Sequence, residues 1–394
     1  MRIAFNKKYA IIQPLVLVLL FLASMNAFSK YFYFIFIAFV VLLFKENLKL
    51  KADRMFFLLL SFSALFVVFS PDTSGSLMLS LKQFAYPLCY LIGLNFQTRR
   101  DRNNAFSAEV QNKVYFAISL MALGAFAHYC LNFLINIDSL ARNNVDFWSG
   151  EILNSTGQAA LSIMAVAVFV STIFSQARFS SKIYSIIGLA IVFIYNFILA
   201  GRSLIVITLS TMLAAIIFMI LSTDTRYKAG KILLIIISFV LIFVIYSENI
   251  FGLRDFIFGT NLSKRLEQMS FFEDIRLIRK GQYISNMFMY PFGGGKLHDF
   301  IGGHAHDILL DTYSDAGMFA FLVLLGFFAV SLKNAFNIIR NKRLEYNLRI
   351  LVLCMFVVLI LEFSIEPILA GMPWMFCAFC FYCGLLKVYG KKHQ

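Results

Sequence analysis

The chain has 394 residues, of which 60% are hydrophobic and only 14% charged, with a mean hydropathy of +0.79 and a net charge of +14. A water-soluble protein of this size has no interior able to hold so much apolar surface, so lipid must solvate much of it. The positive charge gathers at alternate loop ends rather than on one surface, which argues against nucleic acid as a partner.

Apolar segments of membrane-crossing length recur along the chain. Twelve are predicted, roughly at 10–28, 31–44, 55–70, 77–96, 114–134, 156–176, 183–200, 203–221, 232–247, 317–332, 350–366 and 371–388. The first is too long for a signal-peptide core and lacks a small-residue cleavage site, so it reads as a retained span. Alternate connections carry the cations, among them Arg2, Lys7 and Lys8; Arg99, Arg100 and Arg102; Arg178 and Lys182; and Arg340, Lys342 and Arg343. This bias places those connections and both termini in the cytoplasm, where they attract anionic membrane lipids. Outside residues 248–316, the opposite face holds only Lys30, Arg142 and Arg202.

The fold class that follows is an all-α polytopic membrane protein of about 12 transmembrane helices. Helices 1–9 occupy residues 1–247, a long outward loop fills 248–316, and helices 10–12 with a cytoplasmic C-terminus fill 317–394. Cys89, Cys130, Cys354, Cys377, Cys380 and Cys383 all fall in apolar spans. They read as small buried hydrophobes rather than disulfide or cluster ligands.

Most connections are short, so the loops at about 135–155 and 248–316 are where function is expected. Within the longer loop, Asp274–Tyr290 has the period of a helix, closed by Pro291 and the run Gly293, Gly294 and Gly295. One face carries Arg276, Arg279, Lys280 and Tyr283, and another Leu277, Gly281, Ile284 and Phe288. After Gly302 and Gly303 come His304, Ala305, His306 and Asp307, placing His306 near a helix N-terminus that leads into the span at Gly317.

Arg202 stands in a tight turn, Ala200-Gly201-Arg202-Ser203, at the outward start of a span. An arginine there snorkels to headgroups or, with free helix N–H groups, forms a phosphate site; embedded charge favours the second. Arg276, Arg279, Arg142, Arg254 and Arg265 taken singly are explained as well by surface ion pairs, for Arg276 with Glu273 or Asp274. Lys82, inside a span, snorkels or meets a lipid phosphate. His298, His304 and His306 with Asp299, Asp307 and Asp311 offer metal-ligand chemistry, but a two-residue histidine spacing is a weak signal, and no metal or cofactor is expected. A neutral His306 is a reasonable general base. Glu362 and Glu366 share a face at the end of the eleventh span, and His128 and Asp72 have no assigned role.

An arginine-and-histidine site on the outward face suits an anionic lipid. Nucleotide-activated donors are confined to the cytoplasm, whereas a polyprenyl diphosphate sugar carries its own activation within the membrane. Arginines can stabilise its leaving group without a metal.

The motifs extend this. His306-Asp307-Ile308-Leu309-Leu310 followed by Asp315-Ala316-Gly317 resembles the His-Asn-x-x-Leu…Glu-x-Gly signature of the O-antigen polymerase and O-antigen ligase superfamily. Ala200-Gly201-Arg202-Ser203 is similar to its small-Arg-small turn, and Arg276 before Pro291-Phe292-Gly293-Gly294-Gly295 to its Arg…Pro-x-Gly-x-Gly segment. Asp307 stands for Asn, Asp315 for Glu, and Ala320 for a second Gly. The resemblance implies a glycosyltransferase-C-like enzyme of the bacterial inner membrane, its active site facing the periplasm. It implies undecaprenyl diphosphate-linked glycans as substrates, with a flippase and a chain-length regulator as partners. Arg202 and Arg276 would bind the donor diphosphate and His306 would act at the acceptor, with Arg279, Arg142, His304, Asp307 and Lys82 as further substrate contacts. The polymerase is the expected activity, the ligase that transfers glycan to lipid A-core the alternative, and a lipid flippase the alternative of another class.

Overall fold

A computed structural model describes residues 17–27, 52–70, 82–96, 104–139, 141, 143–222, 247–249, 255, 259 and 275–390. The expected spans at 31–44 and 232–247, the two termini, Asp72, Arg142, Arg254 and Arg265 lie outside or almost wholly outside the described residues.

The helices are α1 (Arg54–Phe69), α2 (Ala85–Asn95), α3 (Ala108–Ile135), α4 (Ser155–Phe174), α5 (Phe179–Leu199), α6 (Arg202–Leu221), α7 (Ile275–Asn286), α8 (Lys296–Ile301), α9 (Ile308–Arg340), α10 (Tyr346–Phe363), α11 (Ile368–Gly371) and α12 (Pro373–Leu386). Residues 17–24 are also helical. Six of these helices, α3, α4, α5, α6, α9 and α10, are long and apolar enough to cross a membrane; α1 and α12 are apolar but shorter. The protein is thus a helical, membrane-embedded chain. Of the predicted span 77–96, α2 covers Ala85–Asn95 and residues 77–81 lie outside the described residues; the span predicted from Gly317 belongs to a helix that already begins at Ile308.

Caps set the helix starts. Asp53 accepts hydrogen bonds from the Met55 and Phe56 N–H groups, Ser107 from Val110, and Asn154 from Gly157, satisfying amides that a helix N-terminus otherwise leaves unpaired. A two-residue hairpin, β1 (Asn144–Val145) paired antiparallel with β2 (Ile152–Leu153), closes the loop between α3 and α4.

The bundle has two distinct ends. At the first, the Glu345 N–H donates to Gln111, Arg349 Nε to the Ile339 carbonyl, Tyr90 to Asp53, and Lys387 lies 3.6 Å from Asp53. This end also carries Arg178, Lys182, Arg340, Lys342 and Arg343. A cluster of phenylalanines fills the interior between four helices. Phe62, Phe327, Phe328, Phe363, Phe376 and Phe379 make edge and tilted ring contacts that tie α1, α9, α10 and α12 together. Where α2 crosses α12, a β-carbon on Gly93 would strike the Phe381 carbonyl and one on Gly384 the Tyr90 carbonyl, so the backbones themselves touch.

Candidate functional site

The opposite end is organised by a break in α9. At Gly317 the backbone turns to φ 79° and ψ −179°, a conformation open essentially only to glycine, and helical hydrogen bonding stops. The freed groups need partners, because lipid offers none. The turn at Pro291–Gly295 supplies them. Gly294 N–H donates to the Asp315 carbonyl (2.9 Å), Gly295 N–H to Ser314 (3.0 Å), and Met318 N–H to Pro291 (2.8 Å). Gly293 lies directly on this break; a β-carbon there would sit 2.4 Å from the Gly317 nitrogen. The glycine run read as a helix terminator is therefore a docking element for α9.

A small core holds the rest of the segment. Tyr283, Leu297, Ala305 and Tyr313 are buried together. Tyr283 donates to the Gly303 carbonyl (2.9 Å), and Tyr313 to that of Met287. The predicted helix appears as α7 followed by a 3-10 turn at Met287–Met289. Its basic residues share one face, as the periodicity requires, and that face turns toward the protein. Its apolar face, with Ile275, Leu277, Ile278, Ile284 and Phe288, is exposed.

His306 sits on strained backbone, with φ 56°, a left-handed conformation costing about 1–2 kcal/mol for a residue with a β-carbon. The buried Asp311 carboxylate holds it there, accepting from the Ala305 N–H (2.8 Å) and the Asp307 N–H (3.3 Å) on either side. Asp307 caps α9 through the Leu309 and Leu310 N–H groups and lies 3.6 Å from Lys280. Since Asn and Asp cap helices about equally well, the departure from Asn at this position keeps the cap.

The side chains then meet at Glu366, which is only 1% exposed. Arg276 Nη1 donates to its Oε1 at 2.8 Å, and His306 Nδ1 lies 3.8 Å from its Oε2. Arg276 thus reaches a carboxylate ninety residues along the chain, while Glu273 and Asp274, the local partners expected for it, lie outside the described residues. Lys280 donates to the Ser364 carbonyl, fastening α7 to the same corner. Glu362, one turn before, is also buried, with Oε2 lacking a hydrogen-bond partner. Arg279 donates to the Gly302 carbonyl (3.1 Å) with its guanidinium against Gly303, so it braces the turn that leads to His306. His304 stacks on His298, ring centroids 4.5 Å apart, with Nδ1 3.8 Å from Asp311. Among the described residues, no three His, Cys, Asp or Glu side chains form a metal-holding group.

Arg202 belongs to the same end. The Phe218 ring of α6 packs on Tyr346 at the start of α10 (5.5 Å), and Arg349 lies over the same ring, so the two helices run antiparallel. Arg202 stands sixteen residues before Phe218, and Glu362 sixteen after Tyr346. At 1.5 Å per residue both travel about 24 Å, to the same level. Arg202, half-buried, opens α6 directly after the left-handed Ala200, where Asn196 donates to the Gly201 carbonyl. Lys82 is half-buried just before α2, on the side of the bundle built from α1, α2 and α12.

Beside this end the loop after α3 holds a polar network that the sequence left without a role. His128 Nε2 is 2.7 Å from Asp146, Asn132 donates to Asp146 and Gln158, and Asn144 donates to Tyr195. Burial alone would raise the Asp146 pKa, but the His128 contact and the Ser149 N–H hold it well below the usual carboxylate range.

No protein-family model matches this chain, and no curated protein matches it.

Proposed function

We propose that the protein is a glycosyltransferase of the bacterial inner membrane. It takes a glycan from an undecaprenyl diphosphate-linked donor and joins it to another lipid-linked repeat unit, as an O-antigen polymerase does, at the periplasmic face. The observation that carries this reading is the convergence of Arg276 and His306 on Glu366, at the level of Arg202, where the bundle meets its surface.

Two guanidinium groups suit a diphosphate, which they bind in bidentate fashion and whose negative charge grows as it leaves. An imidazole suits the other half of the reaction. The acceptor hydroxyl oxygen bonds to the anomeric carbon, the bond from that carbon to the diphosphate oxygen breaks, and the hydroxyl proton passes to His306. The exposed apolar face of α7 supports a lipid-borne donor. An amphipathic helix in this orientation lies in the membrane interface with its basic side toward the headgroup region of the substrate. The grouping of charge at one end, rather than through the middle of several helices, favours surface chemistry over transport.

Purified protein in lipid nanodiscs, given a defined undecaprenyl diphosphate-linked repeat unit, is the test. A ladder of longer lipid-linked products supports a polymerase. Transfer only to added lipid A-core means a ligase, and lipid movement without a new glycosidic bond means a flippase.

A further inference from the structure

Glu366 lies at the centre of the site, yet the transfer chemistry assigns it no step. A carboxylate in a diphosphate site is unfavourable unless it does something, since it repels the ligand and competes for the cation. Here it competes directly, because the 2.8 Å contact with Arg276 uses part of the guanidinium fork a diphosphate needs. Its other oxygen faces His306 Nδ1 at 3.8 Å, just beyond a hydrogen bond, and that nitrogen is buried with no hydrogen-bond partner. One oxygen is engaged and one is waiting.

The surroundings restrict what else can satisfy either group. From α7 come Arg276 and Lys280, and Lys280 is held by the Ser364 carbonyl and Asp307. From the segment before α9 come His304, Asp307 and Asp311, with Asp311 committed to the Ala305 and Asp307 amides. From α10 comes the buried Glu362, whose carboxyl lies within electrostatic reach of both Glu366 and Arg276. Among these groups Glu366 is the acceptor placed for His306 Nδ1.

We propose that Glu366 is a positioning residue that changes partner during the reaction. In the unloaded protein it holds Arg276. When the donor diphosphate takes Arg276, the carboxylate engages His306 Nδ1–H, leaving Nε2 to receive the proton from the acceptor hydroxyl. This inference rests on the transferase reading. The proton and electron pairs move as described for the transfer itself. Glu366 remains ionised throughout, and it fixes the tautomer and steadies the imidazolium that forms. Donor binding thereby arms the base, and an empty site keeps its arginine neutralised.

The experiment uses the full chain in phosphatidylglycerol-containing nanodiscs with ¹⁵N-histidine labelling, wild type against Glu366→Gln and Glu366→Asp. Undecaprenyl diphosphate, without sugar, is the binding probe. Wild-type His306 is expected to shift toward the Nδ1–H tautomer when the probe binds, and in Glu366→Gln that shift disappears. Glu366→Gln, freed of the competing charge, should bind the probe roughly tenfold more tightly. Its turnover should fall about a hundredfold, and Glu366→Asp should recover part of it. A merely structural role would weaken binding and turnover together.

Unchanged or weaker probe binding in Glu366→Gln, or a wild-type tautomer indifferent to the probe, overturns the partner change while leaving the transferase reading intact. Failure of wild type to bind the probe at all overturns both. The wild-type tautomer measurement stands even if Glu366→Gln does not fold.

Discussion

The break in α9 gives the sharpest structural prediction, through Gly317→Ala. At φ 79° and ψ −179° an alanine is strained by about 1–3 kcal/mol, and its β-carbon would lie 2.7 Å from the Phe292 carbonyl carbon and 2.8 Å from the Pro291 oxygen. The clash is relieved by moving the Pro291–Gly295 turn away, which breaks the bonds from Gly294 to Asp315, from Gly295 to Ser314, and from Met318 to Pro291. At a net value near 1 kcal/mol each, added to the strain, the local cost reaches roughly 4–6 kcal/mol. Hydrogen exchange read by mass spectrometry on the nanodisc-embedded protein checks this. Residues 290–307 and the start of α9 should lose protection while α4 and α10 keep theirs, and turnover should drop more than about tenfold, because the released segment carries His306. Unchanged exchange over 290–318 would refute the docking of the glycine turn.

Other perturbations read the chemistry. His306→Ala and Arg202→Ala should each lower product formation by about a hundredfold or more, with the protein still inserted and abundant on membrane blots. Full activity in His306→Ala removes it from the mechanism. Arg276→Lys should raise KM for the lipid donor, since an ammonium does not reproduce a bidentate guanidinium; an unchanged KM would argue against its diphosphate contact. Product formation should survive prolonged EDTA, measured by gel, and loss reversed by added divalent cation would bring a metal back into the scheme. Asp146→Ala removes the acceptor facing the buried His128 ring and the Asn132 amide and should destabilise the hairpin loop by about 1–3 kcal/mol, seen as faster exchange at 143–153. Because the folded pKa of Asp146 is lowered, its stabilisation is full above about pH 4. It is lost as pH falls through the lowered folded value, so wild type and variant should converge in strong acid.

Local patterns in the sequence were readable and remote pairings were not. The period put Arg276, Arg279, Lys280 and Tyr283 on one face of α7, and the small-residue turn put Arg202 at the start of α6, because both depend on a few adjacent residues. The pairing of Arg276 with Glu366 was not readable, because Glu366 becomes adjacent only when α7 folds back over the end of α10. The same holds for His128 and Asp146, which lie on either side of the turn out of α3. Gly317 was visible as the point where the apolar run begins, but a helix interrupted and repaired by another segment leaves no period of its own. The sequence did not show that Asp307 caps a helix or that Asp311 clamps the turn holding His306, since both roles depend on how the chain turns between them.

The transfer reaction itself is the most direct test. Wild-type protein incubated with an undecaprenyl diphosphate-linked repeat unit should release one undecaprenyl diphosphate for each glycosidic bond made, with products growing by whole repeats. Donor that binds without being consumed, or products formed equally well when both Arg202 and His306 are replaced by alanine, would contradict the account.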